Sequence, residues 1–402
     1  MSIYDDLGVR TVINGSGSLT RLGGTRMEPE TLAAMAEAAA SFVRIDDLQA
    51  RAGEIIAEVT GAESGYVVTG AAAGLALGIA ACIAGFDVAK MDQLPDTTGL
   101  KNEVVVQRSH RNAYDHAIRM AGVKFVEVGY PVYPGAGGTF AWQLEHAINE
   151  RTAAIACPDL DAPGTLSLAE VAAIGRKYGV PVIVDAAASL PPRSNLRRFI
   201  AEGADLVTYS GGKAIRGPQA SGVLAGRSDR IASVALQHQE MEVRAETWAK
   251  RGLLQDGRIQ GVPHQGFGRA MKVGREEAVG LLVALKKFAT GSDEVDQATW
   301  LDILDHVQSS IAGLPHITTS IASKAGGGVP ILNIKIDEPA LGKRAYDLLN
   351  ELLDGSPSIA LAESYAEFGI IGVNPHGLND ADVEIVVERL FRALQPAIES
   401  AG

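Results

Sequence analysis

The chain has 402 residues, 47% of them hydrophobic, with 36 Lys and Arg against 48 Asp and Glu and a net charge of −12. That length accommodates one large and one smaller domain. The acidity, without any Lys/Arg-rich run, excludes a nucleic-acid-binding face, because phosphate backbones need clustered cations.

The two cysteines, Cys82 and Cys157, are too few for a disulfide framework and are not spaced as a metal site. Buried thiols, a reducing cytoplasm and no metal are therefore expected. The opening Met-Ser-Ile-Tyr-Asp-Asp-Leu lacks the basic and apolar regions of a signal peptide. The most apolar stretch, residues 70–88, is interrupted by glycines and reads as a buried helix with a glycine-rich entry, not a membrane span.

In chain order, residues 1–28 read as an arm with one strand at 11–14 and a glycine-rich stretch at 15–24. Helices are predicted at 29–42, with Pro29 in its first turn, and at 47–60, ended by Gly61. An alternation follows. Strands at 66–68, 103–107, 125–128, 153–157, 182–185, 206–209 and 222–225 are separated mostly by helical segments. Strand-helix alternation of this kind predicts a mostly parallel seven-stranded sheet covered on both faces, a large α/β domain over 29–266. From 267 to 402 a small C-terminal α/β domain is expected. It has helices at 269–288, 300–311, 341–353 and 380–394, and strands at 317–323, 331–336 and 369–373.

The chemistry concentrates at strand ends, where α/β sheets bind ligands. Val182-Ile183-Val184-Asp185 ends in a carboxylate, and Leu206-Val207-Thr208-Tyr209-Ser210 is followed by Gly211-Gly212-Lys213. Asp185 and Lys213 are one crossover unit apart. A lysine amine forms a Schiff base with an aldehyde, and a carboxylate keeps a pyridine nitrogen protonated. The pair therefore points to pyridoxal 5′-phosphate (PLP). Ser210 offers a hydroxyl to the cofactor phosphate. Gly70, Ala71 and Ala72 open a helix after a strand and offer free backbone N–H groups to the same phosphate. His110, just beyond the strand at 103–107, is placed to stack on the pyridine. Each feature also has a plain structural reading: a strand-end cap, an exposed loop lysine, a tight turn, a surface or satisfied loop histidine. A P-loop is excluded because Ala214 stands where Ser or Thr is needed, and Asn14-Gly15-Ser16-Gly17 lacks the helix of a dinucleotide fingerprint.

Together these motifs resemble the fold type I, aminotransferase-like PLP enzymes. Within them the chain resembles the branch of selenocysteine synthase and D-glucosaminate-6-phosphate ammonia-lyase. The segments that carry the resemblance are Leu7-Gly8-Val9-Arg10-Thr11-Val12-Ile13-Asn14, Tyr209-Ser210-Gly211-Gly212-Lys213-Ala214-Ile215-Arg216-Gly217-Pro218-Gln219 and Met271-Lys272-Val273-Gly274-Arg275-Glu276-Glu277. Two departures narrow it. The catalytic-type sequence starts near residue 1, without the extra tRNA-binding region of selenocysteine synthase, so a small-molecule substrate is expected. The stretch Ile370-Ile371-Gly372-Val373-Asn374-Pro375-His376-Gly377 lacks the Arg that commonly grips an α-carboxylate.

The resemblance implies a cytoplasmic lyase, a homodimer or a multiple of one. It would remove an α-proton with Lys213 and eliminate a β-hydroxyl from an amino sugar acid or amino acid. Asn14, Arg21, Arg26, Arg108, Arg111 and Arg216 are candidates for binding an acidic or phosphorylated substrate. A racemase, epimerase or aldolase would use the same carbanion, and a non-catalytic binding protein could retain the fold.

Overall fold

The computed structural model describes residues 2–130, 138–160, 162–238, 242–323 and 327–395. It contains the strands β1 (Val12–Gly15), β2 (Ser64–Val68), β3 (Glu103–Gln107), β4 (Lys124–Val128), β5 (Thr152–Ala156), β6 (Val182–Asp185), β7 (Leu206–Ser210) and β8 (Gly222–Gly226). These are followed by β9 (Ile317–Ala322), β10 (Ile331–Ile336), β11 (Ser358–Leu361) and β12 (Ile370–Val373).

The chain forms two compact units. One is Met27–Leu190 with Ser194–Thr290; the other is Met1–Arg26, Pro191–Arg193 and Gly291–Gly402. In the first, a seven-stranded sheet has the order β2-β8-β7-β6-β5-β3-β4. Only β8 runs against its neighbours, pairing antiparallel with both β2 and β7. The mostly aliphatic strands β5 to β8 are buried along nearly their whole length, as strands covered on both faces are. Val104 and Val106 pack into one core cluster and Val105 into another, as the two-residue repeat of a strand requires. Helix Ala71–Ala84 belongs to the first cluster. The glycine-interrupted stretch is thus a buried helix, and no helix among the described residues is long and apolar enough to cross a membrane.

The second unit holds the antiparallel sheet β12-β10-β9 and the parallel pair β1-β11. The strand expected in an N-terminal arm belongs instead to this unit; its partner β11, four residues long and far downstream, has little local signature. Pairing with β11 makes residues 1–26 part of this unit. Arg10 strengthens the join by donating to the carbonyls of Leu353 (3.2 Å), Asp354 (3.0 Å) and Gly355 (3.3 Å) at a helix end.

The boundary between units falls at Thr290/Gly291, whereas the sequence reading put it at 266/267. Helix Arg275–Thr290 packs on helix Pro29–Ala39 and so stays with the large unit. The expected helix over 269–288 is a short 3-10 turn, Phe267–Met271, and then Arg275–Thr290. The chain extends at Lys272 (ψ 143) between them.

Candidate active site

The site begins with the pairing of β6 and β7. They are parallel neighbours, and Asp185 lies opposite Thr208. Asp185 is the last residue of β6, where the ladder ends and the side chain is no longer packed between strands. Its Oδ1 accepts a hydrogen bond from the Ala187 N–H at 3.1 Å. Burial raises the affinity of this carboxyl for its proton, while the Ala187 bond and the charge of Lys213 oppose that shift.

Lys213 follows β7 in a turn held by its own backbone. The Gly211 N–H donates to Ser221 O at 2.9 Å, the Arg216 N–H to Lys213 O at 2.9 Å and the Gly217 N–H to Gly211 O at 2.8 Å. Gly212 is required by contact, since a Cβ there would stand 2.6 Å from Gln219 Cα. Burial lowers the proton affinity of the Lys213 amine, and the Asp185 charge works the other way. Two groups of opposite charge therefore share a half-buried setting beyond the ends of adjacent strands.

A second feature converges on the same edge. Gly70 precedes helix Ala71–Ala84 with φ 104, a conformation open to glycine, and no side chain caps the helix. The Gly74 N–H is the first to bond back, to Gly70 O at 3.1 Å. The N–H groups of Ala71, Ala72 and Ala73 are therefore left by helix geometry for an outside acceptor. Gly222 of β8 pairs with Val68 on one side and Ser210 on the other. A Cβ on Gly222 would be 2.6 Å from the Gly70 carbonyl carbon. Ser210 is thereby brought beside the Gly70 turn. Thr208, which the sequence reading passed over, secures the joint: its buried hydroxyl donates to Val223 O at 3.1 Å and to Ala71 O at 3.4 Å.

His110 closes the short turn Arg108–His110 after β3. It is only 3% exposed, yet neither ring nitrogen has a hydrogen-bond partner among the described residues. Burial lowers its proton affinity and the Asp159 charge partly restores it. Beside it lies a cavity of about 230 Å³, lined by Cys157, Asp159, Ser167 and Arg198 among others. Gln107, also unremarked in sequence, fixes one wall: its amide donates to Leu166 O at 3.1 Å and accepts from the Leu166 N–H at 2.7 Å.

The arginine candidates are already engaged. Arg108 pairs with Glu127 at 3.3 Å, Arg111 pairs with Asp115 and Glu127, and Arg216 pairs with Glu28 at 2.6 Å. In the other unit Arg21 pairs with Glu363 at 2.9 Å and Arg26 with Asp382 at 3.1 Å. Asn14 shapes the glycine-rich turn there, donating to Gly17 O at 2.9 Å and accepting from the Ser16 N–H at 3.0 Å. Both cysteines are buried, and burial pushes the Cys82 thiol up to about 11 and the Cys157 thiol to about 12, so neither is a ready nucleophile. No group of three or more metal-ligating side chains occurs among the described residues.

Residues 12–247 match the model of the family SelA, L-seryl-tRNA selenium transferase. The chain is 33% identical to the D-glucosaminate-6-phosphate ammonia lyase of Salmonella typhimurium over 99% of each sequence. It is equally 33% identical to a 5′-C-glycyluridine monooxygenase-decarboxylase of a Streptomyces species, over 97% of this chain and 92% of that one. A solved structure of D-glucosaminate-6-phosphate ammonia-lyase superposes with a TM-score of 0.81 at 32% identity, covering 98% of each chain. The architecture is fold type I.

Proposed function

The chain belongs to the L-seryl-tRNA selenium transferase (SelA) family, and on that footing we propose that it is a PLP-dependent lyase of the ammonia-lyase type. The observation that carries the reading is the half-buried pair of Asp185, at the end of β6, and Lys213, in the turn just after the adjacent parallel strand β7. The surroundings fit PLP in three further ways. The Gly70 turn leaves N–H groups for a phosphate. Gly222 keeps that cradle free of a Cβ that would fill it. The buried His110 ring has no hydrogen-bond partner among the described residues, which suits a ring that would lie against another ring. Lys213 would hold the cofactor, Asp185 its ring nitrogen, and Gly70, Ala71, Ala72 and Ser210 its phosphate.

When bound, PLP supplies an electron sink that makes a substrate α-hydrogen acidic. The rest falls to side chains. Lys213 Nζ, its proton affinity lowered by burial, takes the α-proton as general base. The β-carbon–oxygen bond breaks and the hydroxyl leaves as water with a proton. A second water then replaces the amine, giving a keto acid and ammonia. Asp185 would hold the ring nitrogen, and a cationic nitrogen there would oppose the rise that burial imposes on its carboxyl. The buried His110, its proton affinity lowered, would lie against the bound ring and help to exclude water.

The substrate class that suits this family setting is a small amino sugar acid or amino acid, phosphorylated or not. An anionic substrate would compete with carboxylates for Arg108 and Arg111. We place the enzyme in the cytoplasm as a homodimer or a multiple of one, with the glycine-rich arm and the Gly217-Pro218-Gln219 turn as contact surfaces. Sedimentation of fully active monomer would rule the dimer out. Incubation with D-glucosaminate 6-phosphate should release ammonia and a keto acid in equal amounts. Retention of the amino group, with deuterium wash-in at the α-carbon, would instead favour an epimerase. The similarity to a decarboxylase makes carbon dioxide release the other product to assay.

A further inference from the structure

We propose that Arg216 is a positioning residue for Lys213: its ion pair with Glu28 holds the turn that aims the lysine. The inference rests on the assignment of Lys213 to the cofactor.

Arg216 has φ 59, one of two non-glycine residues with positive φ among those described. Side chains with a Cβ rarely adopt this left-handed conformation, and glycine adopts it freely. Such a residue persists where its surroundings over-determine it. Two backbone bonds depend on that conformation. The Arg216 N–H closes a four-residue turn on the carbonyl of Lys213, and the next residue, Gly217, bonds back to Gly211. The backbone at Arg216 therefore determines how the loop returns to β8 and where the Lys213 side chain starts.

The guanidinium supplies the constraint. Its Nη1 lies 2.6 Å from Glu28 Oε1, with the side chains 36% and 29% exposed. Glu28 immediately precedes helix Pro29–Ala39, whose partner is helix Arg275–Thr290. Lys287 of that second helix stands 3.8 Å from the same carboxylate. Glu28 is thus anchored to a two-helix layer, and Arg216 ties the lysine turn to it. Were the turn alone at stake, glycine would serve better. Were Arg216 held for an anionic substrate, its guanidinium would not lie against a carboxylate.

The test uses Arg216→Gly, Arg216→Lys and Glu28→Gln, each purified without cofactor and checked by thermal melting. PLP is then added, and its uptake is followed by the absorbance band near about 410–430 nm. The pH dependence of the uptake rate reports the Lys213 amine. Arg216→Gly should melt no lower than the parent, because glycine accepts the backbone, yet take up PLP about tenfold more slowly, with its pH midpoint moved. Glu28→Gln should show the same loss, and Arg216→Lys should recover at least half of it. Uptake by Arg216→Gly or Glu28→Gln at the parental rate and midpoint overturns the proposal while leaving the cofactor reading intact. A parent protein that never develops the band overturns both.

Discussion

Asp185, at the end of β6, and Lys213, in the turn after the neighbouring β7, oppose each other's proton shifts without cancelling them. Burial raises the carboxyl and lowers the amine, and in each case the partner's charge recovers only part of the change. Burial thus makes each charge costlier to hold, and their mutual attraction offsets only part of that cost. A cofactor that brings its own cationic ring nitrogen changes that balance for Asp185.

The stability of the cofactor-free protein should therefore improve when both charges are removed. The double variant Asp185→Asn/Lys213→Met is expected to be more stable by roughly 1–2 kcal/mol at pH 7, because neither desolvation cost remains. Asp185→Asn alone should fall below the double variant, since it leaves the amine without its counter-charge. Urea unfolding monitored by circular dichroism measures both; a double variant less stable than the parent would contradict the reading.

Activity should move the opposite way. Lys213→Ala is expected to lose the absorbance band and at least about 10³-fold in kcat, because anchoring and proton abstraction disappear together. Mass mapping after borohydride reduction of the parent with PLP should find the label on Lys213 and on no other lysine.

His110 makes a pH-dependent contribution whose sign is fixed by its burial. Its folded proton affinity is below the ordinary value of 6.5. Between the ordinary value and the lower folded one, the unfolded chain binds more of this proton than the folded chain does. The stability from neutral His110 is thus complete above 6.5 and is lost as pH falls through 6.5 toward the lower folded value. His238, bonded to Tyr66 and Met271, is also lowered by burial, so both variant and parent weaken on acidification. The parent should weaken more steeply than His110→Asn, by up to about 1.4 kcal/mol per pH unit. Melting curves from pH 7 to pH 5 provide the comparison, and parallel curves would refute the assignment.

Gly222 tests the phosphate cradle at a distance from the charged pair. Gly222→Ala places a Cβ 2.6 Å from the Gly70 carbonyl carbon and 2.9 Å from Ala71 N. The helix start must shift, at a cost of about 1–3 kcal/mol. PLP affinity should fall at least about tenfold as the N–H groups turn away from the phosphate. Titration of the variant with PLP and with pyridoxal should show a larger loss for the phosphorylated form.

What was legible in the sequence is what local order encodes. The strand runs ending at Val68, Gln107 and Asp185 are short apolar segments bounded by polar or small residues and end where expected, and the run expected at 206–209 extends one residue further, to Ser210. The 28-residue interval from Asp185 to Lys213 marked one crossover unit, and β6 and β7 are indeed adjacent. Only the tertiary structure decided the rest. It joined β1 to β11 across more than three hundred residues. It brought Gly222 against Gly70 through the antiparallel β8, and it matched Arg216 with Glu28. Alternation of strand and helix is written in nearest neighbours and survives in a linear reading. Which distant groups share a buried contact depends on the packing of the whole core, where burial, rather than residue type, determines the charge each group prefers.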